Sequence, residues 1–358
     1  MKALRYLGSK AVELAEIPVP DIQDGEVLVA MRACGICGTD IKTYLRGHPK
    51  LPPGIVLGHE AAGVVVASRS VNFQEGDRVV AAPYAPCGGC VPCRRGLFSL
   101  CEDPNRSYLD PGGFSELIRV PAGIVSQSLL KLPASLSFEQ AALTEPLACC
   151  VHGLEVLNLH AGGSLLIMGD GPMGLTQAAL GKALGASPIL LSGMIPERLD
   201  FARRIVDYVV DVTQDDLFTV VRKVLPAGVD NIFVSAGDLN LAQQAMELVA
   251  KGGAINLFAG LPRASTLTLD TYRIHYEEVR LSGTFGFGPE QFCKAFDWLA
   301  TGQLNLQGLI TRAVPLSKAR EALDEASRYI GIKTIVTAAA FLPGSQSFKK
   351  QNTEGSGG

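Results

Sequence analysis

The sequence predicts an α/β protein in which a β-rich N-terminal part is followed by a doubly wound parallel sheet. Short β-branched runs punctuated by Gly and Pro fill residues 1 to about 130. Farther on, six apolar runs of strand length alternate with helix-like stretches, the pattern of a parallel sheet with helices on both faces. Because 47% of the residues are hydrophobic and only 19% are charged, the chain can bury a large core.

The composition argues against several classes of protein. The formal net charge is only −3, which favours neither nucleic acid nor an anionic membrane as a partner. The N-terminal stretch MKALRYLGSKAVELAEI has charges scattered among its apolar residues, unlike a signal peptide. No uncharged apolar run approaches the roughly 20 residues needed to cross a bilayer. We therefore expect a cytoplasmic protein, in a compartment where disulfides are disfavoured.

The β-rich part contains three clear strand patterns. They are GEVLVAMRACG at 25–35, AAGVVVASRS at 61–70 and GDRVVAAPY at 76–84. From residue 137 the pattern becomes helical, in SFEQAALTEPLACCVHGLEVL. We expect this helix to break near Pro146, because proline disrupts a helix interior.

Six strands are predicted in the second part of the chain, separated by helices such as those at 173–185 and 239–250. The strand candidates lie at 164–168, 188–192, 207–211, 231–235, 253–259 and 278–284. After residue 288 we expect two further helices and a short apolar strand, KTIVTA. The polar, Gly- and Ser-rich tail 342–358 is expected to be disordered.

A glycine-rich turn joins the first of these strands to the following helix. Gly169, Gly171 and Gly174 form a G-x-G-x-x-G pattern, with Pro172 and Met173 between the last two. In this setting the first glycine allows a tight turn, the second lets a pyrophosphate approach the backbone, and the third lets helix pack on strand. The pattern predicts a dinucleotide site at the helix N-terminus, with a purely structural glycine turn as the alternative.

The acidic residue that usually selects the cofactor is missing. A carboxylate at the end of the second strand binds the ribose hydroxyls of NAD and repels the 2′-phosphate of NADP. The window ILLSGMIPER instead has Ser192 and Gly193 there, with no carboxylate before Glu197. Ser192 can donate to a phosphate, and Arg198 or Arg203 can supply positive charge, so we predict that NADP is accepted at least as well as NAD, with a modest preference for NADP. The alternative is that Arg198 merely points to solvent.

Four of the 9 cysteines fall within fifteen positions of the chain. Cys87, Cys90, Cys93 and Cys101 have the spacing C-x2-C-x2-C-x7-C. Such a group can form two disulfides, hold an iron–sulfur cluster or bind a metal ion. The expected cytoplasmic location favours the metal interpretation over disulfides.

A second set of metal-binding residue types lies outside this cluster. ACGICGTD carries Cys37, GHEAAG carries His59 and Glu60, and TEPLACCVHG carries Glu145. A catalytic zinc needs about three protein ligands and an open position, which Cys37, His59 and either glutamate would supply. A lone cysteine in an apolar strand is usually a core residue. The coexistence of these residues with the glycine-rich turn is what indicates a site.

With these motifs the chain resembles the zinc-dependent medium-chain dehydrogenase/reductase family, which includes alcohol, sorbitol and threonine dehydrogenases. The resemblance rests on CGICGTD, GHEAAGVV, the four-cysteine cluster, TEPLACCVHGLE and GDGPMG, in family order and over nearly the whole chain to about residue 340. It implies a GroES-like catalytic domain at 1–150, completed by 288–341. A Rossmann NAD(P)-binding domain is implied at 151–287, with the active site in the cleft between the two.

The resemblance also implies a role for each site residue. The four-cysteine cluster matches a structural zinc site, and nothing else in the sequence suggests the electron transfer that an iron–sulfur cluster would serve. Cys37, His59 and Glu60 match the catalytic-zinc positions, and Glu145 matches a third or alternating ligand. Thr39 matches the hydroxyl that takes the alcohol proton.

Two neighbours of these residues complete the expected site. Asp40 is expected to orient the His59 ring. Lys42 stands where many relatives have a histidine that relays the proton. We therefore expect the proton to leave by another route, through the cofactor ribose and water.

The expected activity is hydride transfer between a secondary alcohol or sorbitol-like polyol and NAD(P), with zinc as the metal. The EP sequence at Glu145 resembles the polyol branch, whereas alcohol dehydrogenases of the family have a cysteine there. The alternatives are threonine-dehydrogenase-like oxidation of an amino alcohol and a non-catalytic dinucleotide-binding relative. Relatives are dimers or tetramers, so we expect a homo-oligomer, most simply a tetramer, joined through GGAINLFAGLP and EVRLSGTFGF.

Overall fold

The computed structural model describes residues 1–49, 51–103 and 107–338, so the predicted tail 342–358 lies outside the described residues. The strands of these ranges, β1 to β17 in chain order, are Lys2–Gly8, Ala11–Glu16, Val27–Gly35, Glu60–Ser68, Arg78–Ala81, Tyr84–Ala85, Ser107–Tyr108, Leu117–Val120, Leu129–Lys131, Leu165–Met168, Ile189–Gly193, Tyr208–Asp211, Val229–Val234, Val249–Leu257, Arg280–Gly283, Ile310–Pro315 and Lys333–Thr337. The α-helices, α1 to α12, are Gly38–Arg46, Val91–Arg94, Ala122–Ser128, Phe138–Ala141, Thr144–Leu157, Pro172–Ala183, Pro196–Ala202, Leu217–Val224, Leu239–Leu248, Thr271–Tyr276, Pro289–Ala300 and Ala319–Ser327. None of the helices in these ranges is long and apolar enough to cross a membrane.

The β-rich part is built on a seven-stranded sheet in the order β16-β17-β3-β4-β5-β9, with β8 also paired to β3. β3 lies inside this sheet because its sequence, VLVAMRACG, is apolar at nearly every position and is buried almost throughout. Its pairing with β4, β8 and β17 is antiparallel, whereas β16 and β17 run parallel. The last two strands of the chain therefore share a sheet with the first part.

The second sheet has six parallel strands in the order β12-β11-β10-β13-β14-β15, and each of the six predicted runs forms one of them. Met168 at the end of β10 lies beside Ser192 of β11 on one side and Val234 of β13 on the other. The strand order reverses between β10 and β13, which opens a crevice beyond the carboxyl ends of the strands. The predicted α/β class with a doubly wound parallel sheet is confirmed.

The structure refines two local expectations. The predicted helical stretch is interrupted at residues 142–143, between α4 and α5, so the break lies near Pro146 but three residues before it. Pro146 is the third residue of α5, and in a first turn the missing N–H removes no helical hydrogen bond. Residues 252–257 of the stretch GGAINLFAGLP belong to β14, which lies between β13 and β15, so this part of the stretch cannot extend the sheet; β15 forms an edge.

The two large sheets share one apolar core. A single cluster of buried side chains contains Val80 of β5, Leu147 of α5, Leu165 of β10 and Phe292 of α11. Because α5 and α11 pack between the sheets, burying their apolar faces fixes the two parts of the molecule together.

A second set of contacts holds the segment that follows β15 against the β-rich part. The rings of Tyr84 and Phe287 are stacked with centroids 5.3 Å apart, and the Tyr84 hydroxyl donates to the Phe287 carbonyl at 3.1 Å. His152 Nδ1 lies 2.9 Å from the Gly286 carbonyl oxygen. These polar contacts give the segment a defined path between the two sheets.

Gly63→Ala should destabilise the protein, because an added Cβ would lie 2.1 Å from the Ala30 carbonyl oxygen in the facing strand. We expect a loss of about 2–3 kcal/mol in the free energy of unfolding, measured by urea denaturation. Gly260→Ala is the control, because no atom lies within 4 Å of its added Cβ. Equal stability of the two variants would show that β3 and β4 can separate at little cost.

Candidate active site

The predicted catalytic-zinc residues converge where β3 ends and β4 begins. Cys37 follows β3 and caps the N-terminus of α1, while His59 immediately precedes Glu60, the first residue of β4. Pairing of Gly35 with Glu60 brings the two segments together, and an added Cβ at Gly35 would lie 1.8 Å from Glu60 Oε2. One ligand atom from each of Cys37, His59 and Glu60 lies within 4.8 Å of the others, so the group can hold a metal ion.

Asp40 fixes the loops that carry these ligands. Its Oδ2 accepts a hydrogen bond from Cys37 N at 2.9 Å, and its Oδ1 accepts one from Gly58 N at 3.0 Å. The same carboxylate lies 3.6 Å from His59 Nδ1, which is an ion-pair distance and too long for a hydrogen bond. Burial alone would raise the pKa of Asp40, but His59 and the backbone donors hold that pKa below its usual value. An ionised Asp40 beside the ring favours its predicted role in orienting His59.

Lys333, which the sequence did not indicate, pairs with Glu60. Its Nζ lies 2.6 Å from Oε1 and 2.5 Å from Oε2 of Glu60, and it donates to the Ile36 carbonyl at 3.0 Å. Both side chains are buried, with exposures of 4% and 1%. Burial alone would lower the pKa of Lys333, but the charge of Glu60 raises it above its usual value. The ammonium therefore supplies the counter-charge that a buried carboxylate needs.

One carboxylate oxygen of Glu60 nevertheless lacks a hydrogen-bond partner among the described residues. The contact of Lys333 with Oε1 has hydrogen-bond geometry, whereas Oε2, although close to the ammonium, has no hydrogen-bond partner among the described residues. Buried polar atoms without a partner are costly and call for an explanation. A zinc ion would satisfy this oxygen, so the donor set of thiolate, imidazole and carboxylate fits that metal.

Glu145 approaches the same group from the first turn of α5. It is buried, and burial raises its pKa to about 7, with the charge of Glu60 adding to the rise and that of His59 opposing it. Among the described residues, however, Glu145 does not belong to the group whose ligand atoms lie within 4.8 Å. The distances favour Glu60 as the third ligand and leave Glu145 as a neighbouring carboxyl.

The four thiols of the cysteine cluster also come together. Cys87, Cys90, Cys93 and Cys101 have their sulfur atoms within 4.8 Å of one another, and all nine cysteines of the chain are free thiols. The Sγ atoms of Cys87 and Cys93 are 4.0 Å apart, and those of Cys90 and Cys101 are 3.9 Å apart. Bonds of 2.3 Å in a tetrahedron separate the sulfurs by about 3.8 Å, so the cluster fits a zinc ion with no open position.

Backbone N–H groups favour the thiolate form in this cluster. Cys87 N donates to Cys101 Sγ at 3.4 Å and Cys90 N donates to Cys87 Sγ at 3.3 Å. Backbone N–H donors, chiefly that of Glu102, lower the pKa of Cys90 to about 6. Burial raises the pKa of Cys93 to about 12. Since the thiolate is the zinc ligand, such donors support metal binding.

The glycine-rich turn has the geometry that a dinucleotide requires. Gly169 has a φ of +131°, a value that favours glycine, at the turn after β10. Gly171 has no atom within 4 Å of an added Cβ, so its backbone is open to a ligand. An added Cβ at Gly174 would lie 2.0 Å from the Gly169 carbonyl oxygen, so the close approach of α6 to the turn requires glycine. Pro172 and Met173 form the first turn of α6, whose N-terminus can bind phosphate.

Arg198 does not lie where the NADP prediction needs it. Its Nε and Nη2 donate to the Gly331 carbonyl at 3.1 and 2.9 Å, and the guanidinium lies over the Tyr329 ring. The side chain is 6% exposed, so it neither binds a phosphate at the strand end nor points to solvent. Ser192 is also buried, with Gly193 at the end of β11. Burial lowers the pKa of Arg198, and the carbonyl contacts tie α7 to the start of β17.

The sequence missed Lys333 and Asp170 as residues of the site. Lys333 opens the apolar strand KTIVTA, where a charged residue gave only a weak sign of a buried partner. Asp170 stands between the first two glycines of the turn, and an acidic residue beside an expected pyrophosphate was the signal that could have marked it.

Comparison with known families agrees with this arrangement. The model described as alcohol dehydrogenase GroES-like domain matches residues 23–133, and the model described as zinc-binding dehydrogenase matches residues 172–301. Together they cover most of the chain, including Cys37, His59, Glu60 and the four-cysteine cluster. The chain is thus a zinc-dependent oxidoreductase with a GroES-like domain and a Rossmann-like parallel sheet.

Individual relatives resemble the chain over almost its whole length. A sorbitol dehydrogenase of Bacillus subtilis (strain 168) is 31% identical, over 92% of this chain and 94% of its own. A sorbitol dehydrogenase of Bombyx mori is 32% identical, over 92% of this chain and 96% of its own. A structure from Sinorhizobium meliloti 1021, described as a zinc-binding dehydrogenase bound to NADP, has a TM-score of 0.85 at 29% identity, covering 94% of this chain and 98% of its own. The chain belongs to the zinc-dependent medium-chain dehydrogenase/reductase family.

Elemental analysis of protein purified without chelator should give two zinc ions per chain, since two separate ligand groups are present. Cys37→Ala should lose one zinc and its turnover but keep its fold. Cys93→Ala should lose the other zinc. Its free energy of unfolding should fall by about 3–5 kcal/mol, because a closed zinc site holds its loop together. Cys293→Ala, outside both groups, is the control. One zinc or fewer in the unaltered protein would contradict this assignment.

Proposed function

We propose that the protein oxidises secondary alcohols or polyols reversibly, with zinc and NAD(P). The observation that carries this proposal is the group Cys37, His59 and Glu60, whose ligand atoms lie within 4.8 Å of one another. The same chain has a glycine-rich turn with an open backbone at Gly171. A single-metal site of three protein ligands leaves a position for a substrate oxygen.

Each residue has a defined task in this reaction. Cys37, His59 and Glu60 would hold a zinc ion, which would supply a Lewis acid for an alcohol hydroxyl, and a bound nicotinamide would supply the hydride acceptor. Thr39, exposed in the first turn of α1, is the group that takes the alcohol proton. Lys42 lies one turn farther along α1, in place of the histidine that relays the proton in many relatives. The alcohol proton would therefore leave Thr39 by a route that does not use a histidine at this position.

A polyol is the substrate class that the relatives favour. Two of them are named sorbitol dehydrogenases, and the EP sequence at Glu145 resembles the polyol branch of the family. The buried carboxyl of Glu145 beside the zinc group replaces a cysteine ligand of the alcohol dehydrogenases. This difference supports a polyol over a simple primary alcohol.

Steady-state kinetics with sorbitol, xylitol, butanediol, threonine and ethanol tests the substrate class. We expect a kcat/KM at least about tenfold higher for one of the polyols or diols than for ethanol or threonine, because extra hydroxyls gain hydrogen bonds in a matching site. Cys37→Ala is the control that assigns turnover to this zinc. A preference for threonine would instead support an amino-alcohol dehydrogenase, and turnover of none of these substrates would contradict the proposal.

Both NAD and NADP are candidate cofactors. The predicted acceptance of NADP rests on Ser192 and Arg198, and in the structure both side chains are buried. Arg203, the other basic candidate, forms an ion pair with Asp200. The contacts of the described residues therefore give no support to a preference for NADP.

We propose that residues 1–150 and 288–341 form the catalytic domain, that residues 151–287 form the NAD(P)-binding domain, and that the protein is cytoplasmic. Membership of β3, β4, β16 and β17 in one sheet supports a catalytic domain that takes in both ends of the described chain. The proposed boundary at residue 150 falls inside α5, so the two domains share that helix. Nine free thiols support a reducing compartment.

We propose that the protein forms dimers or tetramers through the edge strand β15. Large apolar side chains in the segments that precede and follow this strand are exposed: Tyr272 by 61%, Tyr276 by 70% and Phe285 by 73%. Sedimentation velocity at micromolar concentration should give a dimer or tetramer, which Phe285→Asp should weaken. Val71→Asp, at a fully exposed position on the β-rich part, should change nothing. A monomeric wild type would refute the proposal.

A further inference from the structure

The carboxylate that β11 lacks is present at the same place, but it comes from the glycine-rich turn. Asp170 lies between Gly169 and Gly171 and is 8% exposed. Its Oδ2 accepts hydrogen bonds from Met194 N at 2.8 Å and Ile195 N at 2.7 Å, the two residues that follow β11. The side chain therefore crosses from the end of β10 to the end of β11, along the carboxyl edge of the sheet.

Gly193 makes this crossing possible. A Cβ added at Gly193 would lie 2.4 Å from Asp170 Cβ and 2.5 Å from its Oδ2. The carboxylate thus fills the volume into which a side chain at the end of β11 would project. That volume is where the acidic residue of dinucleotide-binding folds meets the ribose hydroxyls. The carboxylate of Asp170 can lie at this place because the end of β11 has glycine, whose missing side chain leaves the space for it.

The contacts leave one carboxylate oxygen for a ligand and remove the donors that a phosphate would need. Among the described residues only Oδ2 of Asp170 receives hydrogen bonds, so Oδ1 can accept one from a ribose hydroxyl. Consecutive backbone N–H groups such as those of Met194 and Ile195 form an anion-binding site, and here a carboxylate already occupies it. Arg198 cannot serve a phosphate in their place, because its guanidinium is bonded to the Gly331 carbonyl.

We propose that Asp170 makes the protein select NAD over NADP, by accepting a hydrogen bond from the ribose and by repelling a 2′-phosphate. This inference rests on the proposed function only in assuming that a dinucleotide binds at the glycine-rich turn. It reverses the preference that the window ILLSGMIPER predicts when that window is considered alone. In this proposal Asp170 would face the adenosine ribose of the cofactor and would take no part in hydride transfer.

Binding of NADH and NADPH, followed by their fluorescence without any alcohol, tests the proposal independently of turnover. The wild type should bind NADH at least about tenfold more tightly than NADPH, a difference of about 1.4 kcal/mol. Asp170→Asn should reduce that ratio by at least about fivefold, chiefly through tighter NADPH binding, because a fixed negative charge is lost. Asp170→Glu keeps the charge and should still reject NADPH.

Asp207→Asn is the matched control. Its carboxylate accepts a hydrogen bond from Ile189 N at 2.7 Å, at the opposite end of the same strand β11, so its loss should leave the binding ratio unchanged. Asp170→Ser is a second neutral variant should the asparagine variant not fold, as judged by thermal unfolding. Equal wild-type affinity for NADH and NADPH overturns the proposal, and so does an unchanged ratio in the neutral variants. Binding of neither dinucleotide would refute the proposed function as well.

Discussion

The buried ion pair between Glu60 and Lys333 links the candidate metal site to β4 and β17. Burying either charge alone would cost several kcal/mol, and the pair is tolerable only because each neutralises the other. Lys333 can reach Glu60 only when β17 lies beside β3, and Glu60 is in place only when β4 pairs on the other side of β3. The same ammonium bonds the Ile36 carbonyl, next to Cys37. Completion of the sheet and assembly of the ligand group are therefore one event.

The shared helix α5 carries this constraint to the second sheet. Its first turn places Glu145 beside the ligand group, and its later residues Leu147 and Leu154 belong to the core shared with β10. Two sheets that met only through an exposed hinge could shift independently. Here a carboxyl near the metal and apolar side chains against the parallel sheet lie on one rigid element, and the Tyr84–Phe287 contact fixes the returning segment. The distance between the ligand group and the crevice is thus set by packing.

The sequence predicted what short-range patterns encode. Alternating apolar runs predicted the six strands. The close spacing of Cys87, Cys90, Cys93 and Cys101 indicated that their thiols lie together, because only short loops separate them. The sequence patterns did not predict contacts between segments that are far apart in the chain. Lys333 meets Glu60 across most of the chain, and Arg198 is held by the carbonyl of Gly331, so neither role can be inferred from neighbouring residues. The residues at the end of β11, considered alone, also cannot reveal that the carboxylate of Asp170 lies against them.

Asp40 and Asp170 make the same kind of contact in two parts of the candidate site. Each carboxylate lies beyond the carboxyl end of a strand and accepts two backbone N–H bonds, Asp40 from Cys37 and Gly58, Asp170 from Met194 and Ile195. Backbone donors fix a loop and its carboxylate together, without requiring a side-chain partner that could move. One such charge lies beside the imidazole of the metal group and the other beside the expected ribose. At both places a buried carboxylate fixes the loop conformation through hydrogen bonds from the backbone.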